Sequence, residues 1–490
     1  MNAENIPETV LNSIGGKSVA CHSGELFDKF NPHDGSRLCR AARSKAEDVS
    51  DAVLAAKAAQ PGWGRTAGVK RGEVLYAIAD NLLKHKAGMA RRVALETGKS
   101  LKDALGETDG AIALARFMAA EGQRLYGRTT TSGTDNKTAF TVREPVGVVG
   151  LIISANTPIA NIAWKVFPAL ICGNAAILKA SEDSPLTAGF FQELVESTAL
   201  PKGVLNTVHG LGGEAGDALV RHPGVNVISF TGSTAVGKII ARTAGERLAK
   251  VSLELGGKNP LVVCNDADID NAVKWSLLSA FSNAGQRCAA GSRIIIFDSV
   301  YDEFRSRFMA KTTALNVGPA DTDDLGPVIN ERQLQKMLKA LSEAEAQGAR
   351  IIAGGKRLAD DAHRNGYYLA PTIVENANPD ADISTTELFG PITNLYRVKN
   401  FKDAVAMANR SPYGLTACIH TCNVNRALEF TRVAEAGVVV VNGGTFGSEA
   451  HMPFGGVKQS GNGTREPGTE ALDVYSNIKD VYQFIDRSAL

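Results

Sequence analysis

Cysteine is scarce and odd in number: 7 among 490 residues, at positions 21, 39, 172, 264, 288, 418 and 422. So scattered a set excludes a disulfide framework and favours a reducing compartment, and a cytoplasmic location is expected. Surplus charge is absent too. Lys and Arg total 53 against 52 Asp and Glu, leaving a net charge of +1. That balance excludes a strongly basic nucleic-acid binder and an acidic solvating tail. Long apolar runs are missing. None reaches the roughly 18–20 residues of a membrane span, and the longest, Val146–Ser154, is strand-sized. The opening MNAENIPETVLNSIGG has no basic region followed by an apolar one, so no signal peptide is read there. Internal repeats, low-complexity tracts and flexible linkers are lacking as well.

What is present is an ordinary globular composition, 44% hydrophobic and 21% charged. At roughly 100–200 residues per domain, the length suggests two or three domains. The 49 glycines follow no period, which points to tight turns and close backbone approaches. The first hundred residues read as mostly helical. Ser44 with Glu47 forms a capping-box pattern before Val49, Val53 and Ala56. Val74, Ile78 and Leu82 mark a second helix. After residue 140, short β-branched runs alternate with helical stretches, among them Val146–Ile153, Ala175–Leu178, Val225–Phe230, Val251–Leu255 and Ile294–Phe297. Such runs suit strands buried on both faces of a parallel sheet, so an α/β, doubly wound architecture is expected. Cys418, His420 and Cys422 fall on a strand-like stretch and are read as structural, with no metal assigned.

Ligands of open parallel sheets bind at the carboxyl ends of strands. Five segments are read in that light. GVVGLIISANTP runs out into Asn156, whose amide could donate to an oxyanion. ILKASEDSP places Lys179 and Glu182 just past a strand, where a carboxylate can accept ribose hydroxyls and repel a 2′-phosphate. FTGSTAVG holds Gly232, Ser233 and Gly237 at a strand-to-helix turn, whose N–H groups suit a pyrophosphate. LELGGKNP ends a strand at Glu254, a candidate general base with its pKa raised between apolar neighbours. SNAGQRCAA carries Cys288 beside Arg287, a cation expected to favour the thiolate. A G-x-G-x-x-A pattern at Gly210, Gly212 and Ala215 lacks the acidic residue of a dinucleotide fingerprint, so it is not read as a standard Rossmann loop. Each segment alone also has a bland reading as a turn, cap or ion pair.

Together, in order and over nearly the whole chain, these segments resemble the NAD(P)-dependent aldehyde dehydrogenase superfamily. Glu254 in LELGGKNP and Cys288 in GQRC resemble its two active-site signatures and stand 34 residues apart. ELFGPI (Glu387–Ile392), SPYGLTA (Ser411–Ala417) and PFGGVKQSG (Pro453–Gly461) match as well. The resemblance implies Cys288 as nucleophile, an oxyanion hole from Asn156 and the Cys288 backbone N–H, and Glu254 activating water. It implies NAD, rather than NADP, held by Lys179 and Glu182 at the adenosine ribose. Gly232, Ser233 and Gly237 would lie along the pyrophosphate, Gly212 near the adenine, and Leu255 on the cofactor side. Glu387 would hold the nicotinamide ribose, with Phe389 beside the ring. Lys165 and Glu466 would form an inner pair on the proton path. Two departures stand out: Ser154 and Ala155 replace the family's Pro-Trp before the asparagine, and GNGTRE carries an extra residue.

The implied fold is aldehyde-dehydrogenase-like. A Rossmann-like cofactor domain (1–124 and 145–256) would join an α/β catalytic domain (257–475). A small β oligomerisation arm (125–144 and 476–490) would make a homodimer or homotetramer. No nucleic-acid or membrane partner is expected. Arg287 suits an anionic semialdehyde, although the second arginine of such relatives is replaced near Gly110. Phe454 and the loop Thr445–Met452 would shape the substrate mouth. The alternatives are a CoA-acylating semialdehyde dehydrogenase and a non-catalytic protein retaining the fold.

Overall fold

The computed structural model describes residues 6–489. Its centre is two seven-stranded sheets. The first runs Lys250–Glu254, Val227–Thr231, Val148–Ile152, Ala175–Lys179, Leu205–Val208, Asn12–Ile14 and Lys17–Val19. Its five long members are parallel. Their side chains alternate between two cores. Val149, Leu151, Ala176 and Leu178 pack under the helix Pro158–Ile171 and the early helices. Val148, Ile152, Ile177 and Ile228 pack under Val49 and Val53 of the helix Ala46–Arg65. Burial on both faces is why these strands read as unbroken apolar runs.

The second sheet runs Arg350–Ala353, Thr372–Glu375, Ile392–Val398, Arg293–Phe297, Pro260–Val263, Thr416–His420 and Val438–Val441. Only its first strand is antiparallel. Cys418 and His420 sit inside it, the thiol donating to Gly443 O at 3.0 Å and the imidazole meeting the same carbonyl at 2.9 Å. A third, antiparallel sheet joins Thr129–Thr130, Lys137–Pro145 and Ser476–Phe484, and leaves Ile478, Tyr482 and Phe484 exposed. Among the described residues, no helix is long and apolar enough to cross a membrane.

Two sequence expectations fail near the N-terminus. Residues 9–42 hold five short strands, not helix. Segments of two to six residues carry too little periodicity to be read. The cap is also one residue off. Asp48 Oδ2 accepts from Lys45 N–H at 2.8 Å, while the Ser44 hydroxyl is taken by Asn12 at 2.8 Å. The expected stripe Val74, Ile78, Leu82 is rotated slightly, with Leu75 rather than Val74 fully buried on Gly68–Lys84.

Candidate active site

The cleft forms where the two large sheets meet. From the first sheet come residues at or just past the carboxyl ends of four adjacent strands: Lys179, Asn156, the Thr231–Ser233 turn and Glu254. From the second come residues preceding strands, at amino ends: Asn259 before Pro260, Cys288 before Arg293, and Glu387 and Phe389 before Ile392. The carboxyl-end rule thus describes one wall and not the other. The wall carrying Cys288 is built from loops entering the second sheet.

Local chemistry explains how Cys288 is presented. The helix Ile269–Phe281 stops, and Asn283, Ala284 and Gly285 turn left-handed with φ of 54°, 51° and 66°. A side chain at Gly285 would collide with Gly390 O, so the turn needs glycine there. Asn259 then pins the loop. Its amide donates to Cys288 O at 2.8 Å and Ala290 O at 2.9 Å, and its Oδ1 accepts from Thr416 N–H at 3.0 Å. The two glycines of LELGG serve the same closure. Gly257 N–H donates to Glu387 Oε1 at 3.0 Å, and a Cβ on Gly256 would strike that carboxylate.

The Cys288 thiol is pushed up to about 12 by desolvation, then by Glu387 and Glu254; Arg287 lowers it least. Arg287 acts in the expected direction, toward the thiolate, but burial and two carboxylates outweigh one partly exposed guanidinium, so the net shift is upward. Glu254 lies close by on the cleft wall, 4% exposed, and neither of its oxygens has a partner. Burial first, and Glu466 second, hold its pKa well above the ordinary carboxylate value; Lys165 and Arg465 oppose them. Behind it, Lys165 Nζ donates to Glu466 Oε2 at 2.8 Å and to Ser229 Oγ at 2.8 Å, with both charged side chains fully buried. The extra residue of GNGTRE does not prevent this pairing. Asn462 and Thr464 tie the run to the strand Lys250–Glu254, and Glu466 reaches inward.

Asn156 is held from several sides. Its Nδ2 donates to Gln286 O at 3.0 Å, and its backbone oxygen accepts from Lys99 Nζ at 2.7 Å. Lys99 also pairs with Glu107 at 2.5 Å, and Glu107 caps Ile159 and Ala160 N–H at 3.0 and 3.2 Å. This buried pair joins the Asn156 loop to the helix Leu101–Glu121. Lys99→Met should cost about 3–5 kcal/mol, because it strands the Glu107 carboxylate. Urea unfolding of the two proteins would show the shift in midpoint, and an unchanged midpoint would refute it.

On the cofactor side, Lys179 Nζ lies 3.4 Å from Glu182 Oε2. Ser233 caps the helix Thr234–Gly245, and Gly237 packs against Leu255 where a Cβ would collide. The Thr231 hydroxyl is buried with no partner. Gly212 opens a short helical turn with free space above its Cα. The cleft walls bring Asn156, Gly232, Ser233, Glu254, Leu255, Cys288, Glu387, Phe389 and Phe454 together. Lys179, Glu182, Gly212, Gly237, Arg287, Lys165 and Glu466 lie outside that wall. Phe454 packs against Trp164, ring centres 5.2 Å apart and planes tilted by 57°. Arg287 lies over Phe446 at 4.9 Å, with Asp103 3.9 Å away. Four contributors were not read from the sequence: Asn259, Lys99, and Gln333 and Lys336, which line the cleft from the helix Glu331–Ala346.

Comparisons with known proteins identify the family. The model of the aldehyde dehydrogenase family matches residues 19–481. An alpha-ketoglutaric semialdehyde dehydrogenase of Bacillus subtilis is 38% identical over 477 residues, 97% of this chain and 98% of that one. Human retinal dehydrogenase 2 is 38% identical over 94% of this chain and 89% of its own length. Among solved structures, a Staphylococcus aureus betaine aldehyde dehydrogenase in complex with NAD+ has a TM-score of 0.95 at 32% identity, covering 96% of this chain and 94% of that one. PnpE from Pseudomonas sp. WBC-3 has a TM-score of 0.95 at 35% identity, covering 98% of both.

Proposed function

The chain belongs to the aldehyde dehydrogenase family, and from that premise we propose that it oxidises an anionic semialdehyde to the acid with NAD through a Cys288 thioester. The observation that carries the chemistry is the meeting of Cys288, Asn156 and an unpartnered Glu254 carboxylate in one cleft. The donor set fits the dinucleotide. The Ser233-led helix N-terminus suits its pyrophosphate, Thr231 offers a buried orphan hydroxyl, and Lys179, Glu182 and Glu387 suit its two riboses. Bound there, the nicotinamide supplies the hydride acceptor.

The chain's own residues do the rest. The Cys288 thiol gives its proton to solvent water, the thiolate sulfur bonds to the aldehyde carbon, and the C=O π pair moves onto the oxygen, which gains negative charge. Asn156 Nδ2 has one N–H on Gln286 O and a second left for that oxygen, alongside the Cys288 backbone N–H. One such donor is typically worth about 3–4 kcal/mol in the transition state. Hydride leaves the carbon and a thioester remains. Glu254 takes a proton from water, whose oxygen displaces the thiolate and releases the acid. Its unpartnered oxygens favour water over CoA as the acyl acceptor.

Arg287 supports the anionic substrate. It adjoins Cys288 in the chain, just outside the cleft wall, over the Phe446 ring and in ion-pair range of Asp103 at 3.9 Å, and its buried Nε has no partner. Arg287→Ala should raise KM for carboxylate semialdehydes by about 10–100-fold, the worth of a charged hydrogen bond, and leave neutral aldehydes unchanged. Equal KM values for both classes in both proteins would sink this reading. Then Arg287 is structural and the aromatic wall of Trp164 and Phe454 selects a neutral substrate. For the cofactor, Glu182→Gln should narrow the preference for NAD over NADP by about tenfold, as a carboxylate no longer opposes the 2′-phosphate. An unchanged kcat/KM ratio would remove Glu182 from that role. The exposed Ile478, Tyr482 and Phe484 support an arm that extends a second subunit's sheet in a homodimer or homotetramer. The unpaired state of all seven cysteines supports the cytoplasm.

A further inference from the structure

The Asn156 carboxamide has its orientation set by two neighbours. Gln286 O can only accept, so Nδ2 faces it at 3.0 Å. Oδ1 then faces the Ser154 hydroxyl, which donates to it at 2.7 Å. The peptide of Asn156 is anchored separately, its oxygen accepting from Lys99 at 2.7 Å and Asn283 at 3.2 Å. Rotation of a terminal amide is soft and roughly two-fold, so a fixed backbone does not by itself aim it. Ser154 and Asn156 both line the cleft with Cys288.

We propose that Ser154 is a positioning residue, whose hydroxyl holds the Asn156 amide with its second N–H toward the substrate's carbonyl oxygen. This rests on the reading of Asn156 as an oxyanion donor. Without the hydroxyl, Oδ1 loses its donor and the amide keeps one tether. The amide then spends time in orientations that put no N–H on the oxyanion. The Ser154 hydroxyl bonds to the Asn156 carboxamide, so its effect passes through Asn156.

The test is kinetic, on the full-length protein with NAD and its best aldehyde. Ser154→Ala should lower kcat about five- to tenfold, the worth of one ordinary hydrogen bond, with KM for NAD and the thermal midpoint unchanged. Ser154→Thr should restore most of the rate. Ser154→Val, of the same shape as Thr without the hydroxyl, should not. Ser154→Ala added to Asn156→Ala should cost nothing further, because the two act as a unit. Wild-type kcat in Ser154→Ala overturns the proposal. So does an equal loss in the Asn156→Ala background, which would mean that Ser154 touches a ligand directly. The underlying reading fails in a different way: Asn156→Ala alone would keep its rate.

Discussion

Cys288→Ala is expected to lower turnover by about four orders of magnitude or more, the scale on which loss of a covalent nucleophile falls. The fold should survive, because Asn259 holds the Cys288 backbone oxygen and not its side chain. Cofactor binding measured by tryptophan fluorescence should therefore stay near wild type while product formation stops. Turnover above about one per cent of wild type would show that another group attacks the aldehyde. The same thiol should be slow to react in the resting protein. Desolvation, Glu387 and Glu254 push it up to about 12. Iodoacetamide labelling should keep rising through the alkaline range, with no plateau near the ordinary thiol value of about 8.5.

The second large effect is a change of kinetic shape. Glu254→Gln should release about one reduced cofactor per active site in a burst and then slow by about 10²–10⁴-fold, the usual worth of a general base. The thioester would persist, detectable as an added acyl mass on the peptide carrying Cys288. A linear time course without a burst would move the role of Glu254 to an earlier step. The pH sign follows from its burial. Its folded pKa lies well above the ordinary value, so the active carboxylate form grows as pH rises, and the hydrolysis limb should lie well above the ordinary carboxylate range. Glu254 charge also raises the Cys288 thiol. The burst of Glu254→Gln should accordingly reach its maximum at lower pH than in wild type.

The parts of the site legible in sequence were those on single strands and their exits. Lys179, Glu254 and the Gly232–Ser233 turn each end or directly follow a short strand-like run. The parts that were not legible are made by contact across the chain. Lys99 meets Asn156 across 57 residues, and Asn259 meets Cys288 across 29. Nothing in local pattern marks a lysine or asparagine as a tether. Arg287 misled for a related reason: adjacency in sequence suggested a thiolate, while three-dimensional burial set the opposite direction. The early strands were missed because pairs such as Thr9–Val10 and Arg40–Ala41 gain their order from register with each other, not from their own propensity.

The Lys165–Glu466 pair closes across 301 residues, and Ser476–Phe484 zips onto Lys137–Pro145 just beyond it. During synthesis, therefore, the cofactor-side sheet emerges long before its innermost lysine can be neutralised. A nascent chain released short of Glu466 would carry an uncompensated ammonium at its centre and an unpaired strand at its edge. Such a fragment is a natural substrate for chaperones and proteases. The segment from Glu466 to Phe484 thus acts as a checkpoint on completeness, and termination before or within it should yield degraded protein rather than a stable, half-active one.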